Sequence, residues 1–401
     1  MWKWTDINHL KAIILDGDTL DKDYMLYDYS MLIPGCKVYP VTTDKKEGMI
    51  SYFDITALLG YLLQNANCDS FQILSISSNP QFLKEMMQNH IGTIYAGCFK
   101  REYLKYTPDF TNKEFKNLPS ILSHTRYGYA AEVIACNEYA KKKNLLSCEA
   151  KLKLNNGDIK NFKLYFGGRY YAKNHRYLSD DPLSTLILEF KNKPVKAISE
   201  YFDQAIEFLR PFETMDILTY VPLKPDEIAA HRFNRFESLE LNRCQHDNLE
   251  LCSIVACCRS FSQKRNDTIH RNENVKGVYA ISQNIQNKKI LIIDDVYSTG
   301  ATITEIVKTL YEAGAAYVSA LFIGVNQLTE SPANLYQAPI CSACGGKLQL
   351  RLNSKTNQLF WGCANYGRGC HVTKTCEQGL QEMGWVNRLN IADFKDLEDY
   401  Y

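Results

Sequence analysis

Two groups of residues carry chemistry that packing alone does not require. Asp294 and Asp295 close an apolar run, Ile290 to Ile293, and lead through Val296 and Tyr297 into the small-residue turn Ser298-Thr299-Gly300-Ala301-Thr302. An amphipathic stretch, Ile303 to Ala313, follows. This order predicts a strand, a turn and a helix, with the carboxylates where an open α/β sheet binds ligands. Adjacent carboxylates suit vicinal ribose hydroxyls. Hydroxyls and backbone amides at a helix N-terminus suit an anion, and Gly300 lets backbone approach a phosphate closely. Together they could grip a ribose 5-phosphate. The second group is Cys341-x2-Cys344 and, after 18 residues, Cys363-x6-Cys370. Paired thiolates at this spacing suit a tetrahedral structural zinc whose closed coordination leaves no catalytic position. His371 and Cys376 stand nearby as alternative fourth ligands.

The elements that must position these residues follow from pattern. The chain has 401 residues, 45% of them hydrophobic, which bounds it to two or three domains. With 46 basic against 45 acidic residues it is no globally basic coat protein, although a local patch can hide in that total. No apolar run approaches the ~20 residues of a membrane span, and the start does not read as a secretory signal. A cytoplasmic setting with reduced cysteines is therefore expected. Residues 1–125 read as an α/β unit, with strands at Lys11 to Leu15 and Phe71 to Ser75 and a helix at Ile55 to Gln64. Residues 126–215 read as a connecting region and the start of the next domain. A helix is expected over Ala130 to Lys143, then alternation through Ala150 to Phe166 with a turn at Asn155 to Asp158. Residues 216–330 carry strands at Ile217 to Val221 and Lys289 to Ile293, residues 338–380 the cysteines, and residues 381–401 an acidic tail.

The segment around Asp294 and Asp295 resembles the 5-phosphoribosyl-1-diphosphate (PRPP) signature of type I phosphoribosyltransferases. Its flanks are similar to the ComF family of competence proteins: Tyr220-Val221-Pro222-Leu223-Lys224, His231-Arg232-Phe233-Asn234, and Gln263, Arg271 and Asn274 at spacings of eight and three. A weaker likeness extends to Gly167-Gly168-Arg169-Tyr170-Tyr171 and Leu186 to Lys191. The resemblance implies a Rossmann-like parallel sheet with a hood, and a magnesium-dependent transfer that displaces pyrophosphate. It implies catalytic roles for Asp294, Asp295 and a hood Arg271. Asp294, Asp295 and Tyr297 to Thr302 would bind PRPP together with Pro222, Leu223 and Lys224, and Val221 to Lys224 would form the pyrophosphate loop. His231 and Asn266 depart from the family pattern.

The cysteine segment resembles the C-terminal zinc finger of bacterial type I topoisomerases, which implies single-stranded DNA binding. Arg351, Arg368 and Lys374 would meet phosphates while Phe360, Trp361 and Tyr366 offer stacking surfaces. From Cys341 to Cys376 the segment holds no Asp or Glu. Near the N-terminus, Asp16-Gly17-Asp18-Thr19 after an apolar strand, with Ser77 and Asp109 further on, looks like a haloacid-dehalogenase-like (HAD) phosphatase. There the first Asp would be nucleophile and the second acid/base. The combined expectation is a ComF-like phosphoribosyltransferase that transfers or senses a phosphoribosyl group and touches DNA through its finger. A catalytically inactive DNA-binding adaptor and a HAD-type phosphatase are the alternatives. Homo-oligomerisation or a DNA-processing partner stays open.

Overall fold

The near-continuous apolar runs become buried parallel strands, as expected when both faces of a sheet are covered. The computed structural model describes residues 10–52, 55–89, 91–123, 127–137, 142–172, 181–241, 249–260, 274–327, 340–346, 348–352, 359–375 and 378. In the N-terminal unit β1 (Ala12–Asp16), β2 (Lys37–Thr42), β3 (Ile50–Ser51), β4 (Ile73–Ser77), β5 (Gly92–Ala96) and β6 (Phe110–Asn112) form one sheet. Their order is β3-β2-β1-β4-β5-β6, and every pair is parallel. The order reverses beside β1, so the ends of β1 and β4 border a crevice. The helix Ile55–Ala66 forms where the spacing predicted it. Strand β4 starts two residues later than expected because Asp69 leads a short 3-10 turn over Ser70–Gln72.

The helix expected over 130–143 covers only Ala130–Ala135. Asn137 adopts a φ of 56°, a left-handed residue of the kind that terminates helices, and Lys142–Asn144 is strand β8, paired with β7 (Tyr127–Tyr129). Next come β9 (Leu146–Lys153) and β10 (Ile159–Phe166), an antiparallel hairpin whose turn holds Gly157 at a φ of 94°. Strands β11 (Arg169–Tyr171) and β12 (Ile217–Tyr220) follow, then the antiparallel pair β13 (Val255–Cys257) and β14 (Tyr279–Ile281). Strands β15 (Lys289–Tyr297) and β16 (Tyr317–Gln327) complete a sheet of order β12-β15-β16-β10-β9, with β11 also on β16. All its pairs are parallel except β9 with β10. The 126–215 region therefore supplies three strands of the second sheet. A three-stranded antiparallel sheet, β17 (Leu348–Leu352), β18 (Leu359–Cys363) and β19 (Thr373–Thr375), ends the described chain. Among the described residues no helix is long and apolar enough to cross a membrane.

The two α/β units share one apolar core. A single buried cluster contains Ile14, Leu62 and Tyr95 from the first unit and Phe166, Ile292 and Ile306 from the second. A buried ion network reinforces it. Arg169 Nη1 lies 2.7 Å from Asp109 Oδ1, and Arg169 Nε lies 2.9 Å from Glu132 Oε1. The Arg169 amide also donates to Glu132, at 2.9 Å. Gly168 is required here because a Cβ would run into the Glu132 and Leu183 side chains. Asp109 Oδ2 accepts from the Thr93 amide at 2.8 Å. All three ionic side chains are at most 2% exposed. Burial raises the Glu132 carboxyl above its usual range, and Arg169 works against that rise. Arg169→Ala strands two buried carboxylates. It should destabilise the fold by about 3–5 kcal/mol in denaturant unfolding, with Asp109→Asn costing less.

Candidate functional site

Strand β15 runs through Tyr297, past the end expected at Ile293, so Asp294 and Asp295 sit within the strand and are nearly buried. The Asp295 amide donates to Asp294 Oδ1 at 2.8 Å, and the Val296 amide to Asp295 Oδ1 at 2.7 Å. Arg235 Nη2 lies 3.2 Å from Asp295 and 3.9 Å from Asp294, and Lys191 Nζ lies 3.9 Å from Asp295. The two carboxyls consequently titrate apart. Burial and the neighbouring Asp295 charge push Asp294 well above the carboxylate range. Burial also opposes ionisation of Asp295, but Arg235, Lys191 and the Val296 amide outweigh it and hold the group low.

Beyond Tyr297 the chain turns at Gly300, whose φ of 79° is left-handed, into the helix Ala301–Glu312. A Cβ at Gly300 would run into the Tyr297 hydroxyl and the Arg101 guanidinium, so close packing and backbone conformation both require glycine. The parallel pairing of β12 with β15 brings Pro222, Leu223 and Lys224 beside this turn. One cavity of about 270 Å³ is lined by these residues together with Asp294, Asp295 and Tyr297 through Thr302. It therefore unites the described residues expected to bind a ribose phosphate, while Arg271 lies outside the described residues. Lys191, Arg232 and Arg235 also line the cavity. Sequence reasoning gave them no role, although Arg235 directly follows His231 to Asn234 and Lys191 closes a stretch already singled out.

In the finger the sulfurs of Cys341, Cys344, Cys363 and Cys370 lie within 4.8 Å of one another, with Cys341–Cys370 and Cys344–Cys363 both at 3.4 Å. A tetrahedral zinc with bonds of about 2.3 Å separates its sulfurs by about 3.8 Å, so the group fits that metal. Gly345 turns back at a φ of 68°, and the Cys341 amide bonds to Gly346 O at 2.7 Å. The Asn365 side-chain amide and the Gly346 amide lower the Cys344 thiol to about 6, favouring the thiolate that a metal binds. Trp361 corrects the expected stacking surface: it is 1% exposed, packed with Leu348, Cys341 and Cys363 against Tyr171 of β11. Its Nε1 has no hydrogen-bond partner among the described residues. The antiparallel register sets Lys374 opposite Trp361, and Arg351 and Thr375 opposite Phe360. Adjacent strand residues point to opposite faces, so Phe360 and Trp361 do not share one surface. Phe360 is half-buried, whereas Arg368 and Tyr366 are exposed, with Tyr366 edge-on to His371 at 4.9 Å.

At the N-terminal crevice Asp16 Oδ2 accepts from Ser77 Oγ at 2.5 Å and from Thr19 Oγ at 2.7 Å. Asp18 is held by Thr42 Oγ at 2.6 Å, the Thr43 amide at 2.7 Å and Lys46 Nζ at 2.9 Å. Burial would raise Asp18, but these bonds win and keep it well below the usual carboxylate range. Asp16 is thus bonded to Ser77, whereas the Asp18 carboxylate is held by Thr42, Thr43 and Lys46. Asp109 does not join them: Thr93 and Arg169 take its oxygens at the junction of the two units.

No protein-family model matches the chain. Over 96 residues, 24% of the chain, it is 35% identical to the competence protein ComFC of Streptococcus pneumoniae (strain ATCC BAA-255 / R6). The chain spans 41% of the length of that relative. Among solved structures, UMP synthase of Leishmania donovani aligns at 12% identity with a TM-score of 0.21, covering 79% of this chain and 65% of that one. That score carries no argument.

Two outcomes follow from the geometry. Because the Asp294 pKa is raised on folding, its contribution to stability is complete below about pH 4 and is lost as pH rises toward the raised value. Asp294→Asn should therefore melt with the wild type near pH 4 and progressively above it toward pH 8, read as Tm against pH. Cys341→Ser should lower bound zinc by about one equivalent per chain in metal analysis, with loss of finger order.

Proposed function

We propose that this chain binds PRPP or a related ribose phosphate at the end of β15, and either transfers the phosphoribosyl group with release of pyrophosphate or senses the ligand. One observation carries the reading. The adjacent carboxylates, the glycine turn at a helix N-terminus and the 222–224 segment line a single cavity. In this reading the amides and hydroxyls of Ser298 to Thr302 hold the 5-phosphate, Asp294 and Asp295 accept from the ribose hydroxyls, and Pro222 to Lys224 face the pyrophosphate. As the bond from the ribosyl carbon to pyrophosphate breaks and the acceptor bond forms, positive charge grows on the sugar. Positioning and nearby carboxylates then favour the reaction. The all-oxygen donor set of Asp294 and Asp295 suits magnesium held jointly with ligand phosphates, where it would neutralise departing pyrophosphate.

The finger completes the proposal as a contact for single-stranded DNA, made by exposed Arg368 and Tyr366 and not by buried Trp361. The partial likeness to a competence protein supports a link to DNA uptake or processing. A second reading, a DNA-binding adaptor without transferase turnover, is favoured by the pairing of Asp295 with Arg235 and Lys191. A phosphatase centred on Asp16 finds less support, since Asp109 is committed elsewhere.

PRPP with magnesium should raise the Tm, and Asp294→Asn with Asp295→Asn should abolish the rise; no rise in the wild type would sink the ribose-phosphate reading. Pyrophosphate release with bases, nucleotides and single-stranded DNA as acceptors then separates enzyme from sensor. In DNA titrations, Arg368→Ala should reduce the salt slope by about 0.7, one single-strand phosphate contact, while Tyr366→Ala should cost about 1–3 kcal/mol of affinity.

A further inference from the structure

We infer that Arg101, a residue of the N-terminal unit, is a positioning residue for the phosphate turn of the second unit; this rests on the ribose-phosphate reading. Arg101 opens the 3-10 helix Arg101–Tyr106, far in sequence from the cavity. Its Nε donates to the Tyr297 hydroxyl at 2.6 Å, and its Nη2 donates to Thr304 Oγ at 3.0 Å. Tyr297 is the last residue of β15, and Thr304 lies in the first turn of the following helix. One planar fork therefore ties together the two ends of the segment that would enclose the phosphate.

The tie is stiff on both sides. The Tyr297 ring is wedged edge-on between Phe166, at 5.4 Å, and Phe322, at 5.3 Å, and is almost fully buried. Gly300 passes so close to the Tyr297 hydroxyl and the Arg101 guanidinium that even a methyl group would not fit. Arg101 is not among the residues lining the cavity. Its influence therefore runs through the turn: it holds Gly300 in its left-handed conformation and keeps the turn amides directed at one point. It also places a permanent positive charge behind an anion site. Lysine has the charge but not the fork, so it cannot hold both oxygens in fixed geometry.

The same 3-10 helix is also docked at its other end, which separates positioning from mere attachment. Gln327 Oε1 accepts from the Thr107 amide at 3.0 Å, and Gln327 Nε2 donates to Leu104 O at 3.2 Å. Gln327→Ala loosens the docking without touching the turn. The test is calorimetric titration of the 401-residue chain with PRPP and magnesium, alongside hydrogen exchange of the peptide spanning Ser298 to Thr304 without ligand. Arg101→Ala should weaken binding about tenfold or more and speed exchange in that peptide, and Arg101→Lys should recover only part of either. Gln327→Ala should stay within about twofold of wild type in affinity. Unchanged affinity in Arg101→Ala, or an equal loss in Gln327→Ala, would overturn the inference. If the wild type binds no PRPP, the ribose-phosphate reading fails and exchange decides: faster exchange confined to Arg101→Ala supports the tie, and unchanged exchange removes it.

Discussion

A guanidinium with almost no access to water sets the relation between the two halves of this chain. Charge in a low-dielectric interior costs several kcal/mol unless partners are placed to meet it. Arg169 is met twice, by Asp109 from the first unit and by Glu132 from the helix that begins the second. Each partner is fixed in turn, Asp109 by Thr93 and Glu132 by the Arg169 amide beside Gly168. Once Asp109 is held, the preceding Thr107 and Leu104 are drawn against the end of β16 through Gln327. That docking holds one end of the 3-10 helix, while at the other end Arg101 itself bonds the turn after β15.

What could be read from the chain beforehand was whatever is encoded contiguously. Asp294 and Asp295 with Ser298 to Thr302 form one unbroken segment, and their strand–turn–helix geometry is local. The four cysteines were legible for the same reason, since paired spacing constrains where thiols can go. Arg235, Lys191 and Arg101 were not legible as site residues, because separate elements deliver them and a single basic residue in a loop or helix end has no periodic signature. Trp361 shows another limit. Composition can count aromatics beside arginines, but only the register of β17, β18 and β19 decides which ring faces inward. Asp109 fits a phosphatase-like pattern in order, yet it lies in the bend just before β6, where its carboxylate pairs with Arg169.

The near-neutral composition conceals a division of charge that the structure makes physical. In the cavity at the end of β15, acidic and basic side chains neutralise each other at close range. Arg235 and Lys191 face Asp295 in a largely dry setting, where the interaction is weakly screened. On the finger, exposed Arg368 stands in water, where salt weakens attraction to any polyanion. The first arrangement governs which of the two carboxyls keeps its proton. The second governs how strongly long-range attraction depends on ionic strength.

The shared apolar core has a consequence for how such a protein can be taken apart or recombined. The cluster that packs Ile14 and Leu62 also packs Phe166, Ile292 and Ile306, so the boundary near residue 125 divides the chain but not its interior. A fragment beginning there would present a freshly opened oily face to water, together with Arg169 and Glu132 deprived of Asp109. The segment that carries the cavity is therefore no cassette that can be lifted out and grafted elsewhere. In this chain it comes with its N-terminal companion, and the pair would be inherited, expressed and engineered as one piece.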